Sequence, residues 1–261
     1  MIDAIGVFDS GVGGLTVTAA LRRRLPRESI LYLGDTARLP YGSKSPETVT
    51  RYTRRNIEFL VERGVKAVVV ACNTASALAL PNLSPEVPTW GVIEPGARTA
   101  AAVSRGRVGV IATEATVRSD AYARALRAVR PDLEILSRAC PLFVPLVEEG
   151  WHDDPVTAEV AQRYLRPLLD AGIDTLVLGC THYPLLVPVL ARVAGPGVTL
   201  VDSAAAVAEV VAAGLAARGL EAGEHPPASH LCVTDAGESF QRLAARILDE
   251  PRVSLEWVEV T

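Results

Sequence analysis

Two cysteines of this 261-residue chain occur in one setting, Gly64-Val-Lys-Ala-Val-Val-Val-Ala-Cys72-Asn73-Thr74 and Gly172-Ile-Asp-Thr-Leu-Val-Leu-Gly-Cys180-Thr181-His182. In each, a glycine precedes a short apolar run, and small polar residues follow the cysteine. A thiolate can take a proton and a thiol can return one. Two equivalent thiols facing one substrate from opposite sides therefore suit inversion of a carbon centre. A third stretch, Phe8-Asp9-Ser10-Gly11-Val12-Gly13-Gly14-Leu15-Thr16, joins a strand to a helix. Its glycines invite comparison with phosphate-binding turns. The GxGG spacing is not GxGxxG, no P-loop lysine follows, and an aspartate at the strand end would repel phosphate. Asp9 and Ser10 are read instead as facing a crevice. Asn73, Thr74, Thr181 and His182 add donors and acceptors able to hold an amino group and carboxylates.

Positioning these groups requires strands that end at them. Apolar runs of four or five residues between a helix-ending glycine and a polar turn read as buried parallel strands. Both cysteines thus fall at carboxyl strand ends, where open α/β sheets place their ligand crevice. Strands are expected near 5–8, 29–33, 67–71, 89–92, 108–111, 134–138, 175–178, 199–201 and 230–234. Helical patterns cover 15–25, 46–63, 97–102, 120–129, 155–171, 204–218 and 238–248, while 36–45, 81–88 and 219–228 read as loops. The order repeats. The strand entered at Ile5 matches that at Val108, and the helix ending at Gly64 matches that ending at Gly172. The fold class is α/β, as two pseudo-symmetric lobes with mainly parallel sheets and the active site in the cleft between them.

Composition narrows the partners. With 49% hydrophobic residues, 21% charged residues and a net charge of −4, nothing calls for nucleic acid or an anionic membrane. No apolar stretch is long enough to span a bilayer, and the N-terminus enters a strand almost at once, so a cytoplasmic protein is expected. Neither a disulfide framework nor a zinc site is suggested by the four cysteines; Cys140 and Cys232 read as small buried hydrophobes. A pyridoxal cofactor needs a Schiff-base lysine, and the two available, Lys44 in a loop and Lys66 at a strand entrance, lack a convincing setting. No cofactor and no metal are expected. His152 and His230 read as surface or loop residues, and Arg22-Arg23-Arg24 as a solvated helix face. The excess of arginine over lysine suits codon bias or a thermophilic source.

Phe8–Thr16, Asp35-Thr-Ala-Arg-Leu-Pro-Tyr-Gly42, Cys72-Asn-Thr-Ala75, Gly91-Val-Ile-Glu-Pro-Gly96 and Gly179-Cys-Thr-His-Tyr-Pro-Leu-Leu186 together resemble glutamate racemases of the aspartate/glutamate racemase family. The resemblance runs over nearly the whole chain, in the family's order. It implies interconversion of L- and D-glutamate by two cysteines without pyridoxal phosphate, supplying D-glutamate for bacterial cell-wall peptidoglycan. Cys72 and Cys180 are then catalytic, with Asp9 assisting the first and His182 the second. Glu148 supports His182, its neighbour Glu149 being the alternative. Ser10, Tyr41, Gly42, Asn73, Thr74 and Thr181 would hold substrate with Asp9 and His182, and Thr113 and Thr116 would offer carboxylate donors from the second lobe. Lobe boundaries at 1–96 plus 205–261 and at 97–204, and a homodimer, also follow from the resemblance. One departure is Ala112, where the family usually has glycine, and an altered turn is expected there. Two other readings stay open: an aspartate-type racemase, and a binding protein whose cysteines are merely structural.

Overall fold

The apolar runs around the two cysteine motifs become the centres of two sheets. The computed structural model describes residues 3–223, 227–235 and 237–260. The first half runs β1 (Ile5–Asp9), α1 (Leu15–Arg24), β2 (Ile30–Gly34), α2 (Pro46–Glu62), β3 (Ala67–Val70), α3 (Asn73–Leu78), β4 (Thr89–Gly91) and α4 (Ile93–Val103). Next come β5 (Arg107–Ala112), α5 (Glu114–Arg118), α6 (Ala121–Val129), β6 (Glu134–Ala139), α7 (Phe143–Glu148), α8 (Pro155–Asp170), β7 (Thr175–Gly179), α9 (Val187–Ala194) and β8 (Thr199–Val201). The chain closes with α10 (Ala204–Ala216), β9 (Ser229–Val233), α11 (Glu238–Leu248) and β10 (Leu255–Trp257).

Both sheets are wholly parallel, in the orders β10-β9-β2-β1-β3-β4 and β6-β5-β7-β8. The inner part of the first, β2-β1-β3-β4, repeats in the second as β6-β5-β7-β8. The expected pseudo-symmetry is therefore literal: β3 and β7, which lead to Cys72 and Cys180, hold the same place. Their registers agree too, since Phe8 pairs with Val70 and Ile111 with Leu178, each partner two residues before its cysteine. Gly64 and Gly172, at φ 81° and 74°, end the equivalent helices α2 and α8 in the left-handed region that favours glycine.

Parallel strands must be covered on both faces, and four apolar layers do this. In the first sheet, α1, α10 and α11 pack on one face and α2 and α3 on the other. In the second, α7, α8 and α9 cover one face and α4 and α6 the other. Each fully buried Val, Leu or Ile contributes roughly 1.5–3 kcal/mol. No helix among the described residues is long and apolar enough to cross a membrane.

Departures from the expected elements are local. Helix α4 begins four residues earlier than the expected 97, because Pro95 falls in its first turn, where backbone N–H groups lack helical partners anyway. The short helices α3 and α5 replace expected turns, α7 and α9 form in segments for which no element was expected, and β10 adds an unforeseen edge strand. Segment 36–45 contains two 3-10 turns, Thr36–Arg38 and Tyr41–Ser43. Of the expected loop 219–228, residues 224–226 lie outside the described residues, as do residues 1 and 2 of the N-terminal approach to β1. Ala112 closes β5 inside the sheet rather than altering a turn. His152 is buried, not on the surface, its Nδ1 lying 2.9 Å from the Gly150 carbonyl in the α7–α8 connection. His230 is exposed but lies in β9. Arg22 and Arg24 are drawn into ion pairs with Glu250 and Glu209. Cys140 and Cys232 are buried free thiols, as expected.

Candidate active site

The carboxyl ends of β1, β3, β5 and β7 bring most of the expected site residues around one cavity. Ser10, Tyr41, Gly42, Cys72, Asn73 and Thr74 line it from the first sheet's side, and Thr113, Glu148, Cys180, Thr181 and His182 from the second's. Thr116 stands just behind, its hydroxyl 3.1 Å from that of Thr74. The cavity measures 30 Å³, small beside the roughly 300–1,000 Å³ of common ligand pockets.

Asp9 ends β1 fully buried, its carboxylate accepting the Gly11 N–H at 3.0 Å and the Thr181 hydroxyl at 3.3 Å. Burial raises its pKa, although the His182 charge, the Gly11 and Gly14 amides and Thr181 all pull the other way. The glycine-rich turn is shaped around these groups and not around a phosphate. A Cβ at Gly13 would stand 2.6 Å from His182 Nδ1, and one at Gly14 would fall inside the Asp9 side chain. The Tyr32 hydroxyl, donating to the Gly11 carbonyl, ties this turn to β2.

The two thiols have different neighbours. Cys72 caps α3, its sulfur accepting the Ala75 N–H at 3.5 Å, and it lies 3.6 Å from the Ser10 hydroxyl. Burial, with the Asp9 charge adding to it, pushes the Cys72 thiol up to about 12. Cys180 instead lies 3.9 Å from His182 Nδ1, and His182 Nε2 lies 3.2 Å from Glu148 Oε1. Burial alone would lower the imidazole's pKa; its hydrogen bonds to Cys180 and Glu148 outweigh that and push it up to about 10. Position 148, not 149, makes the contact with His182.

Hydroxyls bridge the two sides. Thr74, Thr113 and Thr116 form a triangle with oxygen separations of 3.0 to 3.1 Å. Tyr41 sits differently from expectation. Its ring is buried and its hydroxyl donates to Asp35, beside Asn56, so its side chain faces away from the cavity it borders. Asp35 also accepts from Arg38 at 2.9 Å and Thr234 at 3.2 Å, fixing the loop that carries Tyr41 and Gly42. The sequence reading missed Asp35 and Asn56 as supports, although Asp35 opens one of the quoted motifs. It also missed Ser239 on α11, whose hydroxyl donates to the Glu148 carbonyl at 2.7 Å.

The model of the Asp/Glu/Hydantoin racemase family matches residues 5–211. The chain belongs to this family. It is 54% identical to a glutamate racemase of Geobacter metallireducens, over 97% of each chain. Among solved structures, glutamate racemase RacE1 of Bacillus anthracis superposes with a TM-score of 0.94 at 40% identity, over 98% of this chain and 97% of that one. The Francisella tularensis glutamate racemase in complex with D-glutamate gives 0.92 at 36% identity, with the same coverage. As an amino-acid racemase, this chain needs a base on one face of a carbon and an acid on the other. In this racemase, the two repeats deliver one thiol each to a shared cavity.

Proposed function

We propose that this chain is a glutamate racemase working without cofactor by two-cysteine proton transfer, with Cys72 and Cys180 as its acid and base. The observation that carries this reading is that both thiols, from equivalent positions of a repeated sheet, line one cavity. Glutamate's α-hydrogen is removed by whichever cysteine is the thiolate, while the other gives its proton to the opposite face. The α-carbon is inverted, one proton having been taken and one returned. The roles swap for the other enantiomer.

The surroundings support a division of labour. Beside Cys180, a protonated His182 held by Glu148 offers a positive partner for a thiolate. Cys72, raised by burial and Asp9, is held as a thiol and suits the donor's part. In the other direction Asp9 is the nearby group able to receive the Cys72 proton. Ser10, Asn73, Thr74, Thr113, Thr116 and Thr181 supply hydroxyl and amide groups for the substrate's charged ends. Tyr41 and Gly42 contribute through backbone N–H groups at the start of their 3-10 turn, where such groups lack helical partners.

Cofactor independence is supported by where the lysines stand. Lys66 enters β3 at the end opposite the cysteines and pairs with Glu28 at 2.7 Å. Lys44 lies beyond the Tyr41–Ser43 turn and is absent from the cavity lining. The two lobes are taken as 1–96 with 205–261 and 97–204. Membership of β9 and β10 in the first sheet supports the C-terminal return, and α4 runs through the first boundary. D-Glutamate made in the cytoplasm would feed bacterial peptidoglycan, and a homodimer is the proposed assembly, to be counted by sedimentation.

The deciding experiment follows α-hydrogen exchange of L- and D-glutamate in deuterated water, without added cofactor, for wild type, Cys72→Ser and Cys180→Ser. Racemisation by wild type and severe loss in each variant uphold the reading. Exchange of aspartate but not glutamate keeps the mechanism and overturns the substrate. Exchange of neither makes the cleft a binding site with structural cysteines.

A further inference from the structure

Tyr122, on the inner face of α6, belongs to none of the motifs that point to the site, yet it touches both cysteine segments. Its hydroxyl donates to Asn73 Oδ1 at 2.6 Å, and Asn73 directly follows Cys72. Its ring lies against the residue before Cys180: a Cβ at Gly179 would come within 3.0 Å of Tyr122 Cε2. On the far side, a Cβ at Gly96 would meet the ring and hydroxyl at 3.5 Å and the Ser203 Cβ at 3.0 Å. Two missing side chains thus make the slot this ring fills. The side chain is 2% exposed, so its hydroxyl has no choice of water as partner.

The hydrogen-bond directions within this group are fixed by elimination. An amide oxygen carries no proton, so in the 2.6 Å contact with Asn73 Oδ1 the phenol is the donor. The phenol proton is then committed to Asn73. An amide has one acceptor oxygen and one donor nitrogen. With Oδ1 engaged by Tyr122, Asn73 must present Nδ2 as a donor, and Asn73 lines the cavity between the thiols.

We infer that Tyr122 is a positioning residue that orients the Asn73 amide as a fixed donor toward a carboxylate of the substrate. The inference rests on the glutamate racemase reading for the identity of that substrate. Without the phenol proton, Asn73 can rotate and offer either end to the cavity. Ground state and transition state share the carboxylate, so the loss falls on uniform binding, which raises KM and spares kcat.

The test is a double-mutant cycle of Tyr122→Phe and Asn73→Ala, with racemisation measured in both directions, beside the 15N-resolved side-chain amide signal of Asn73. The phenylalanine keeps the ring in its slot, so folding is retained. Tyr122→Phe is expected to raise KM about tenfold, the worth of one hydrogen bond, with kcat within about threefold of wild type. It should add nothing further in the Asn73→Ala background, and the Asn73 amide signal should shift. Multiplicative effects in the double variant, an unchanged KM with a lowered melting temperature, or an unmoved amide signal would each overturn the inference. If wild type leaves glutamate untouched, the substrate reading fails on its own, and the amide signal still decides the role of Tyr122.

Discussion

His182 joins two roles that a lone buried histidine could not combine. Buried and unpartnered, it would be neutral at physiological pH; held between Cys180 and Glu148, it stays charged. Its folded pKa of about 10 exceeds the ordinary 6.5. Stability from this pairing is therefore fully present below about pH 6.5 and lost as pH rises toward 10. Wild type should exceed Glu148→Gln in unfolding free energy at pH 6, and the gap should shrink by pH 10, measured by urea titration. A gap that widens with pH would refute the pairing. At the same scale, Asp9→Asn removes a negative charge that adds to burial at Cys72. The Cys72 thiol should then ionise more readily, and a small alkylating reagent at pH 8 should label it faster than in wild type. Slower labelling, read by mass spectrometry of the Cys72 peptide, would place the Asp9 charge elsewhere.

At the scale of elements, the glycine-rich turn between β1 and α1 shows how a loop can be built to receive residues from the other side of a cleft. Gly13→Ala would push on Thr181 and His182, and a displacement near 1 Å in a site costs about a hundredfold in rate. Gly14→Ala acts within its own side, against Asp9, and should lower stability by about 1–3 kcal/mol and turnover with it, because Asp9 assists Cys72. Racemisation rates and melting temperatures of the two variants check this; full turnover in either variant would contradict it. The same elements show what the sequence made legible. Strands β3 and β7 could be read because fully buried parallel strands are near-continuous apolar runs. Helix α3 could not, since Asn73-Thr74-Ala75-Ser76 has turn-like composition and its cap is the Cys72 sulfur. Strand β10 is three mostly exposed residues and leaves no periodic trace. Tyr41 was legible as a motif residue but not in orientation, which depends on Asp35 and Asn56 meeting its hydroxyl. Tyr122 reads from sequence as one more apolar position of an amphipathic helix; only the folded chain shows its hydroxyl against Asn73.

For the whole molecule, the size of the cavity bears on motion. A space of 30 Å³ between the thiols is narrow beside the roughly 300–1,000 Å³ of common ligand pockets, and cross-cleft bonds such as Thr74–Thr113 and Thr181–Asp9 hold its walls together. A free protein that opens by parting the two sheets would admit substrate, and those bonds would re-form around it. Small-angle scattering should show a radius of gyration that falls when the free protein is saturated with glutamate. Identical curves with and without glutamate would locate the opening in local loops instead.

The unlike neighbours of the two thiols, a carboxylate at Cys72 and an imidazolium at Cys180, bear on what such a catalyst can favour. Enantiomers have equal free energy in water, so the equilibrium constant of their interconversion is one. The ratio kcat/KM must then be identical in the two directions, however dissimilar the two halves of the cleft become. A change that speeds turnover of one hand must loosen its binding in proportion, or aid the other hand equally. The chemical asymmetry of this cleft therefore leaves the racemic end point untouched and acts on how each direction divides between affinity and speed.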